Sequence, residues 1–269
     1  SASQELTYAQ QSSSNSSLDT NEVLPVISAT WKPSDEWQFR VGSSTTVARP
    51  GLTELSKSSS YDPETDDQMF GNPNLELSNI TNFDFRAEYY FTDSESISLA
   101  LFNKSIDKPI ERTIVDGSGS AAEGYTFKNS QAADLLGVEL DFRMDVVDTD
   151  DFSGFLSGNF AWVDSEVTLD DESANLEGNN TRELQGQSKT LANIQFGMDH
   201  LVTGQTFTVL ANYFGDRIDK VSRGALAHEY EKGRMSLDFV YKWDVSEDLT
   251  VKGKASNLTN EPVEYTQGD

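Results

Sequence analysis

The sequence predicts an all-β chain: an antiparallel up-and-down sheet of about ten strands, forming a segment of a transmembrane β-barrel. Three observations predict it. Apolar and polar residues alternate along the chain, short and long connections alternate between those runs, and aromatic residues gather at both ends of them.

The alternation has period two, which gives a strand two different faces. Over residues 82–91, Phe83, Phe85, Ala87, Tyr89 and Phe91 interleave with Asn82, Asp84, Arg86, Glu88 and Tyr90. Over 138–145, Val138, Leu140, Phe142 and Met144 interleave with Glu139, Asp141, Arg143 and Asp145. Over 235–243, Met235, Leu237, Phe239, Tyr241 and Trp243 share one parity. A helix would need apolar residues three and four apart, and these runs lack that spacing. Weaker copies begin at Leu24, Trp37, Ile97, Leu156, Ala192, Phe207 and Leu249. Several runs approach the ~9–11 residues that a tilted strand needs to cross a bilayer.

The connections favour a barrel over a sandwich. Short ones follow Lys32, Phe91, Val146, His200 and Trp243. Long polar ones cover 49–78, 107–132, 164–188 and 215–233. Strict alternation of short and long puts all the long loops at one end, as in an outer-membrane barrel. Trp31, Trp37, Tyr89, Tyr90, Phe91, Phe152 and Trp243 lie near the short turns, as membrane-interface aromatics would. Phe160, Trp162, Tyr213 and Phe214 lie at the opposite strand ends. The polar face carries Arg40, Arg86, Glu88, Glu139, Asp141, Arg143, Lys252 and Lys254, so it must meet water or a polar plug. That requires a wide barrel, because a small one packs apolar side chains inside.

Composition excludes several functions. The chain has 269 residues with 45 acidic and 20 basic side chains, a formal charge of -25 that repels nucleic acid. Cysteine is absent, which rules out disulfides and thiolate metal sites. His200 and His228 fall at opposite strand ends and cannot share a site. No apolar run reaches the ~18 residues of a transmembrane helix, and no signal peptide opens the chain at Ser1. For an outer-membrane protein this implies a processed chain or a fragment. The glycines between Gly117 and Gly124 lack the strand-helix context of a dinucleotide loop. Asp148, Asp150 and Asp151 lack calcium-loop spacing. No nucleophile motif occurs, and no enzyme is expected.

Four segments resemble one family, in that family's order. Leu24-Pro-Val-Ile-Ser-Ala-Thr-Trp31, a turn, and Phe39 through Ala48-Arg-Pro50 resemble its strand pair ending in Ala-Arg-Pro. Gly71-Asn-Pro-Asn-Leu75 with the strand after Asn82 resembles its loop end and next strand. Leu184-Gln-Gly-Gln-Ser-Lys189 is similar too, and Asn257-Leu-Thr-Asn-Glu-Pro262 resembles the signature after its penultimate strand. The family is that of TonB-dependent outer-membrane receptors, and the chain resembles the C-terminal part of their barrel. The resemblance implies strands 12 to 21 of a 22-stranded barrel. Residues 1–23 would then be an extracellular loop or the end of a preceding strand, and 24–269 the partial barrel. The plug, the TonB box, the first half of the barrel and the last strand would lie outside this chain.

The resemblance also implies a function. Such a receptor sits in the outer membrane of a Gram-negative bacterium and binds a small-molecule or oligosaccharide ligand, carbohydrate or siderophore-like. It imports that ligand with energy from the TonB complex acting on the plug; a surface lipoprotein is a candidate further partner. The alternatives are a passive porin or channel and a soluble secreted β-sheet adhesin. Loop and upper-wall aromatics suit sugars and cations suit anionic siderophores, which makes Tyr61, Phe70, Tyr125, Phe127, Trp162, Arg217 and Arg223 the candidate ligand contacts. Asp62, Glu64, Asp66 and Asp67 form an acidic loop cluster that reads as solvated charge, with calcium binding as the alternative; no other cofactor is expected.

Overall fold

A computed structural model describes residues 22–62, 67–115, 123–224 and 226–268. Ten strands form the wall: β1 (Val26–Trp31), β2 (Trp37–Ala48), β3 (Ser78–Tyr90), β4 (Ser96–Asp107), β5 (Ala132–Asp148), β6 (Phe152–Thr168), β7 (Thr190–His200), β8 (Gln205–Phe214), β9 (Arg234–Ser246) and β10 (Leu249–Ala255). Each pairs antiparallel with the next in sequence, in the meander that the connection lengths predict. The sheet is open: among the described residues, β1 and β10 each have one neighbour in it.

Period two separates the faces as expected. Phe83, Phe85, Leu99, Leu101, Leu140, Phe160 and Ile194 lie exposed on one face, Phe83 to 51%. So broad an apolar surface, which none of the described residues covers, is of the kind that a transmembrane barrel turns to lipid. The other face is polar and cross-linked. Arg40 and Arg86 stand directly opposite each other on β2 and β3. Glu88 lies between them, 3.3 Å from Arg40 and 3.0 Å from Arg86, and relieves the like-charge contact. Arg86 also reaches Asp141 of β5 at 3.0 Å and donates to the Ser98 hydroxyl of β4 at 2.7 Å.

The aromatic belt at the short-turn end is a stacked ladder. Trp31 and Trp37 stack on Phe39 at 5.4 and 5.5 Å, Trp37 meets Tyr89 at 4.9 Å, and Tyr89 meets Phe91 at 4.9 Å. Further along the wall, Phe152 packs on His200 at 4.5 Å, and the Trp243 indole donates to the Thr203 carbonyl at 3.1 Å. Tyr90 is the exception among these residues. Its parity puts it on the polar face, where its hydroxyl donates to Glu88 at 3.3 Å.

The opposite end differs more from expectation. β5 and β6 have 17 residues each, far more than the ~9–11 that span a bilayer. The connection read as 164–188 therefore begins later, because Val163, Ser165 and Val167 continue the strand to Thr168. The long connections fold into a cap with two small sheets of its own. One joins Ser59–Asp62, Asp67–Phe70, Glu123–Asn129 and Ile110–Val115; the other joins Arg217–Lys220, Glu229–Glu231 and Tyr265–Gln267. Asp67–Phe70 and Glu123–Asn129 run parallel, unlike any pair in the wall.

The family-like motifs are what shape this end. Asn72 donates its side-chain amide to the Phe127 carbonyl at 2.8 Å, while its own oxygen accepts from Asn74 N–H at 3.0 Å. Gly71 sits so close to the chain that a Cβ there would lie 1.9 Å from the Ser56 carbonyl. Asn257 and Asn260 adopt left-handed conformations, at φ 51 and 53, that end β10 in a turn. The Asn257 side chain closes that turn by accepting from Glu261 N–H at 3.1 Å.

Candidate functional site: the cap and its cleft

Most of the buried apolar residues lie in the cap or at the strand ends beneath it. Ile114, Tyr125, Ile218 and Val221 form one cluster, with Met69 and Tyr230 packed against it. Ala133, Val167 and Leu169 form a second, with Ile106, Ala174 and Leu184 around it. Helix α1 (Leu52–Leu55) and helix α2 (Asp171–Glu177) complete the cap. Asp170 caps α2 by accepting from the Glu172 and Ser173 N–H groups, and Gly178 ends it at φ 78.

A buried ionic cluster ties two of the connections together. The Arg182 guanidinium reaches Glu111 at 2.7 Å and Glu177 at 2.9 Å, with side chains 4%, 8% and 0% exposed. Burial pushes the Glu111 carboxyl up, against the pull of Arg182. Burial also opposes the charge on Arg182, but Glu111 and Glu177 outweigh it and hold the group above its ordinary value. His228, buried nearby, accepts from the Ser222 N–H through Nδ1 at 3.0 Å. Burial lowers its pKa, and Glu177 and Arg182 pull it in opposite directions.

Beside this cluster lies a cleft of about 410 Å³ to which every one of the four long connections contributes. Glu54 and Met69 come from the first, Ile110, Glu111, Arg112 and Phe127 from the second. Gln185 and Gly186 come from the third, and Arg217, Ile218 and Asp219 from the fourth. The Asp219 carbonyl is the hub, accepting from Gln185 Nε2 at 2.7 Å and from Arg112. Arg112 also lies over the Tyr125 ring at 5.3 Å. Arg217 is held by Glu231 at 2.6 Å and stacks on Phe214 at 4.9 Å. Of the charged groups of the cleft, Glu111 and Arg217 are ion-paired, and its carboxylates outnumber its guanidiniums. Such a lining suits a ligand that offers hydroxyls and an apolar face.

Two of the sequence-predicted contacts, Phe127 and Arg217, line this cleft. Tyr125 does not: it is 2% exposed and forms the floor of the cap core. Phe70 is half-buried in one of the cap's own sheets, and Tyr61 is exposed on the neighbouring strand. Arg223 is exposed in the fourth connection. Trp162 lies on the apolar face beside Phe160, directly across from Val138 and Thr190, and so joins the lipid-side aromatics. Of the acidic cluster, Glu64 and Asp66 lie outside the described residues, and Asp67 pairs with Lys220 at 2.6 Å. The glycine-rich stretch after Gly117 also falls mostly outside them. Sequence reasoning missed Glu111, Arg182 and Gln185. The signal for the last two was their position in and next to Leu184-Gln-Gly-Gln.

A sheet whose apolar face turns outward and whose charged face turns inward defines a segment of a transmembrane β-barrel. The model of the family described as "TonB dependent receptor-like, beta-barrel" matches residues 3–258. The chain belongs to that family, one of receptors and transporters in the outer membrane of Gram-negative bacteria. Among curated proteins no sequence matches it. Solved structures share its fold. The siderophore receptor PiuA from Acinetobacter baumannii is 15% identical with a TM-score of 0.60, over 88% of this chain and 31% of that one. The siderophore receptor PirA from Pseudomonas aeruginosa is 14% identical with a TM-score of 0.59, over 90% of this chain and 40% of that one. A mutant of the ferric enterobactin receptor PfeA from Pseudomonas aeruginosa, in complex with enterobactin, is 13% identical with a TM-score of 0.59, over 88% and 35%. The chain therefore spans well under half the length of these receptors.

Proposed function

We propose that the whole protein is an energy-coupled importer of the outer membrane, whose cap recognises a small ligand at the extracellular side. The observation that carries this reading is the cleft, because all four long connections contribute to it. Loops with no common task would have no reason to converge on one cavity. Short turns belong at the periplasmic end of such barrels, which puts the cap outside. The open edges at β1 and β10 need partner strands, since unpaired backbone groups cannot face lipid. Further strands of the same barrel supply them, and a plug with its TonB contact supplies the energy coupling.

The ligand is a neutral, hydroxyl-rich molecule of the oligosaccharide class. The four connections carry about twice as many acidic as basic residues, and a polyanion would meet that field unfavourably. A siderophore-like ligand is the second reading, favoured by the names of the structural neighbours. Calorimetry on the full-length receptor in detergent, with neutral oligosaccharides in one arm and ferric enterobactin in the other, separates the two. Oligosaccharide binding that weakens about tenfold or more in Phe127→Ala or Gln185→Ala is expected. Binding of the ferric chelate alone would overturn the ligand class. A steady ionic conductance in planar bilayers, independent of any ligand, would overturn import in favour of a passive channel.

A further inference from the structure

We infer that Arg182 is the positioning residue of the cleft, a buried charge clasp that holds Glu111 in the cleft wall and fastens the second connection to the third. This rests on the cleft being the ligand site, but the clasp itself can be tested without any ligand.

The geometry is specific. Glu111 belongs both to the cleft lining and to the ionic cluster. Its carboxylate is presented by Ile110–Val115, while Glu177 ends α2 and Arg182 sits in a two-residue strand paired to the top of β6. The Arg182 Nε bonds Glu177 and its Nη1 bonds Glu111, so one planar guanidinium spans both elements. Nη1 also donates to the Glu183 carbonyl at 3.1 Å, which fixes the guanidinium on its own strand. Immediately beyond it, Leu184 N–H donates to the Ser165 hydroxyl and Gln185 reaches the Asp219 carbonyl. A shift of Arg182 would move the Gln185 side of the cleft and the Glu111 side together.

Among the described residues, the charges facing this point are few. From Ile110–Val115 comes Glu111, while Arg112 is turned to Asp219. From α2 comes Glu177, and from the fourth connection comes His228. Lys128 pairs instead with Glu172 at 2.6 Å and with Asp170 at 4.0 Å, near the N-terminal end of α2. Removing the guanidinium would therefore leave two carboxylates buried together with no fixed positive charge between them. Each would be driven to take up a proton or to leave the interior. A residue that merely filled space would not create that choice.

The experiment measures hydrogen exchange, corrected for intrinsic rates, in the full-length receptor in detergent. The wild type is compared with Arg182→Met and with the triple variant Arg182→Met, Glu111→Gln, Glu177→Gln. Retained heat-modifiable mobility on gels shows that the barrel is folded in each. Exchange over residues 110–115 and 171–182 should rise by about a hundredfold or more in R182M at neutral pH. Acid should reverse most of that rise by neutralising the two carboxylates, and the triple variant should show little of it. Arg182→Lys should keep part of the protection that R182M loses, since it retains the charge without the planar fork. If the triple variant opens as far as R182M, or if acid brings no recovery, Arg182 acts through bulk alone and the clasp is wrong. Failure of the cleft to bind ligand, with this exchange pattern intact, would count against the ligand site and leave the clasp standing.

Discussion

The wall and the cap of this molecule bury opposite things. Below the strand ends that meet the cap, the wall exposes its large apolar side chains on the outer face and buries polar ones, Gln38, Asn82, Glu88 and Ser98. The cap buries Ile114, Tyr125, Ile218 and Val221 as a soluble domain would, around an ionic cluster. The same hydrophobic effect explains both, because the two regions meet different solvents. Lipid removes any need for the wall to hide Phe83 or Ile194, whereas water above the membrane obliges the cap to form a core. A substitution should therefore have its consequences in one region and not the other.

The largest expected effect is in the cap. Ile114→Ala removes most of a fully buried side chain and should cost about 2–5 kcal/mol of cap stability. Hydrogen exchange over 110–115 and 123–129 should accelerate while the β5–β8 amides stay protected. Loss of protection throughout the wall would show that cap and wall fold as one unit and would dissolve the distinction.

Slightly smaller is the effect of a charge on the outer face. Ile194 is half exposed on the apolar side, and Asn193 next to it lies on the polar side, donating to Asn159 at 2.7 Å. Ile194→Arg should cost about 2–4 kcal/mol in a bilayer, as for cationic residues near the midplane. Asn193→Arg should cost far less. Urea titrations of the full-length protein in lipid vesicles give both numbers, and equal losses would mean that the faces are misassigned.

The two regions also differed in how much of them could be read from the sequence. Strands such as β3, β5 and β9 were legible because period two is a local property, written in ten consecutive residues. The cap was not, because its order is non-local. Arg182 meets Glu111 across a separation of 71 residues, and Asp67–Phe70 pairs in parallel with a strand more than fifty residues away. Short strands of three or four residues carry too few alternations to show a period. An aromatic with polar neighbours in a long loop suits a sugar, but a loop with its own core takes Tyr125 into that core. One cap element was written locally and overlooked. Asp170 followed eight residues later by Gly178 is the cap-to-cap spacing of a short helix.

That helix offers a milder test. Asp170→Ala removes the acceptor for two N–H groups of α2 and should cost about 1 kcal/mol, confined to the cap. Exchange should quicken over 171–177 by roughly fivefold to tenfold. An unchanged rate would mean that packing against Ile110–Val115 alone holds α2 in place.

The smallest effect is a pH dependence that only the cap should show. Burial keeps His228 neutral in the closed cap, with Nδ1 accepting from Ser222 N–H. When the cap opens, the imidazole returns to its ordinary pKa of about 6.5. Above that pH both states are neutral and His228 adds no pH dependence. As pH falls below it, the open cap gains a proton that the closed cap refuses, so the closed form loses stability. The loss continues until pH reaches the depressed value of the closed state, and there it stops. Glu111 works in the other direction, because burial raises its pKa in the closed cap. The closed form then takes up a proton more readily than the open one, and gains stability as pH falls towards the ordinary glutamate range. The two contributions separate in the variant His228→Asn, whose side-chain oxygen can still accept from Ser222 but does not titrate. Cap protection in the wild type should fall relative to H228N as pH drops just below about 6.5, while wall protection stays the same in both. Parallel pH profiles for the two proteins would show that His228 does not sense the closing of the cap, and its burial would then be a matter of packing only.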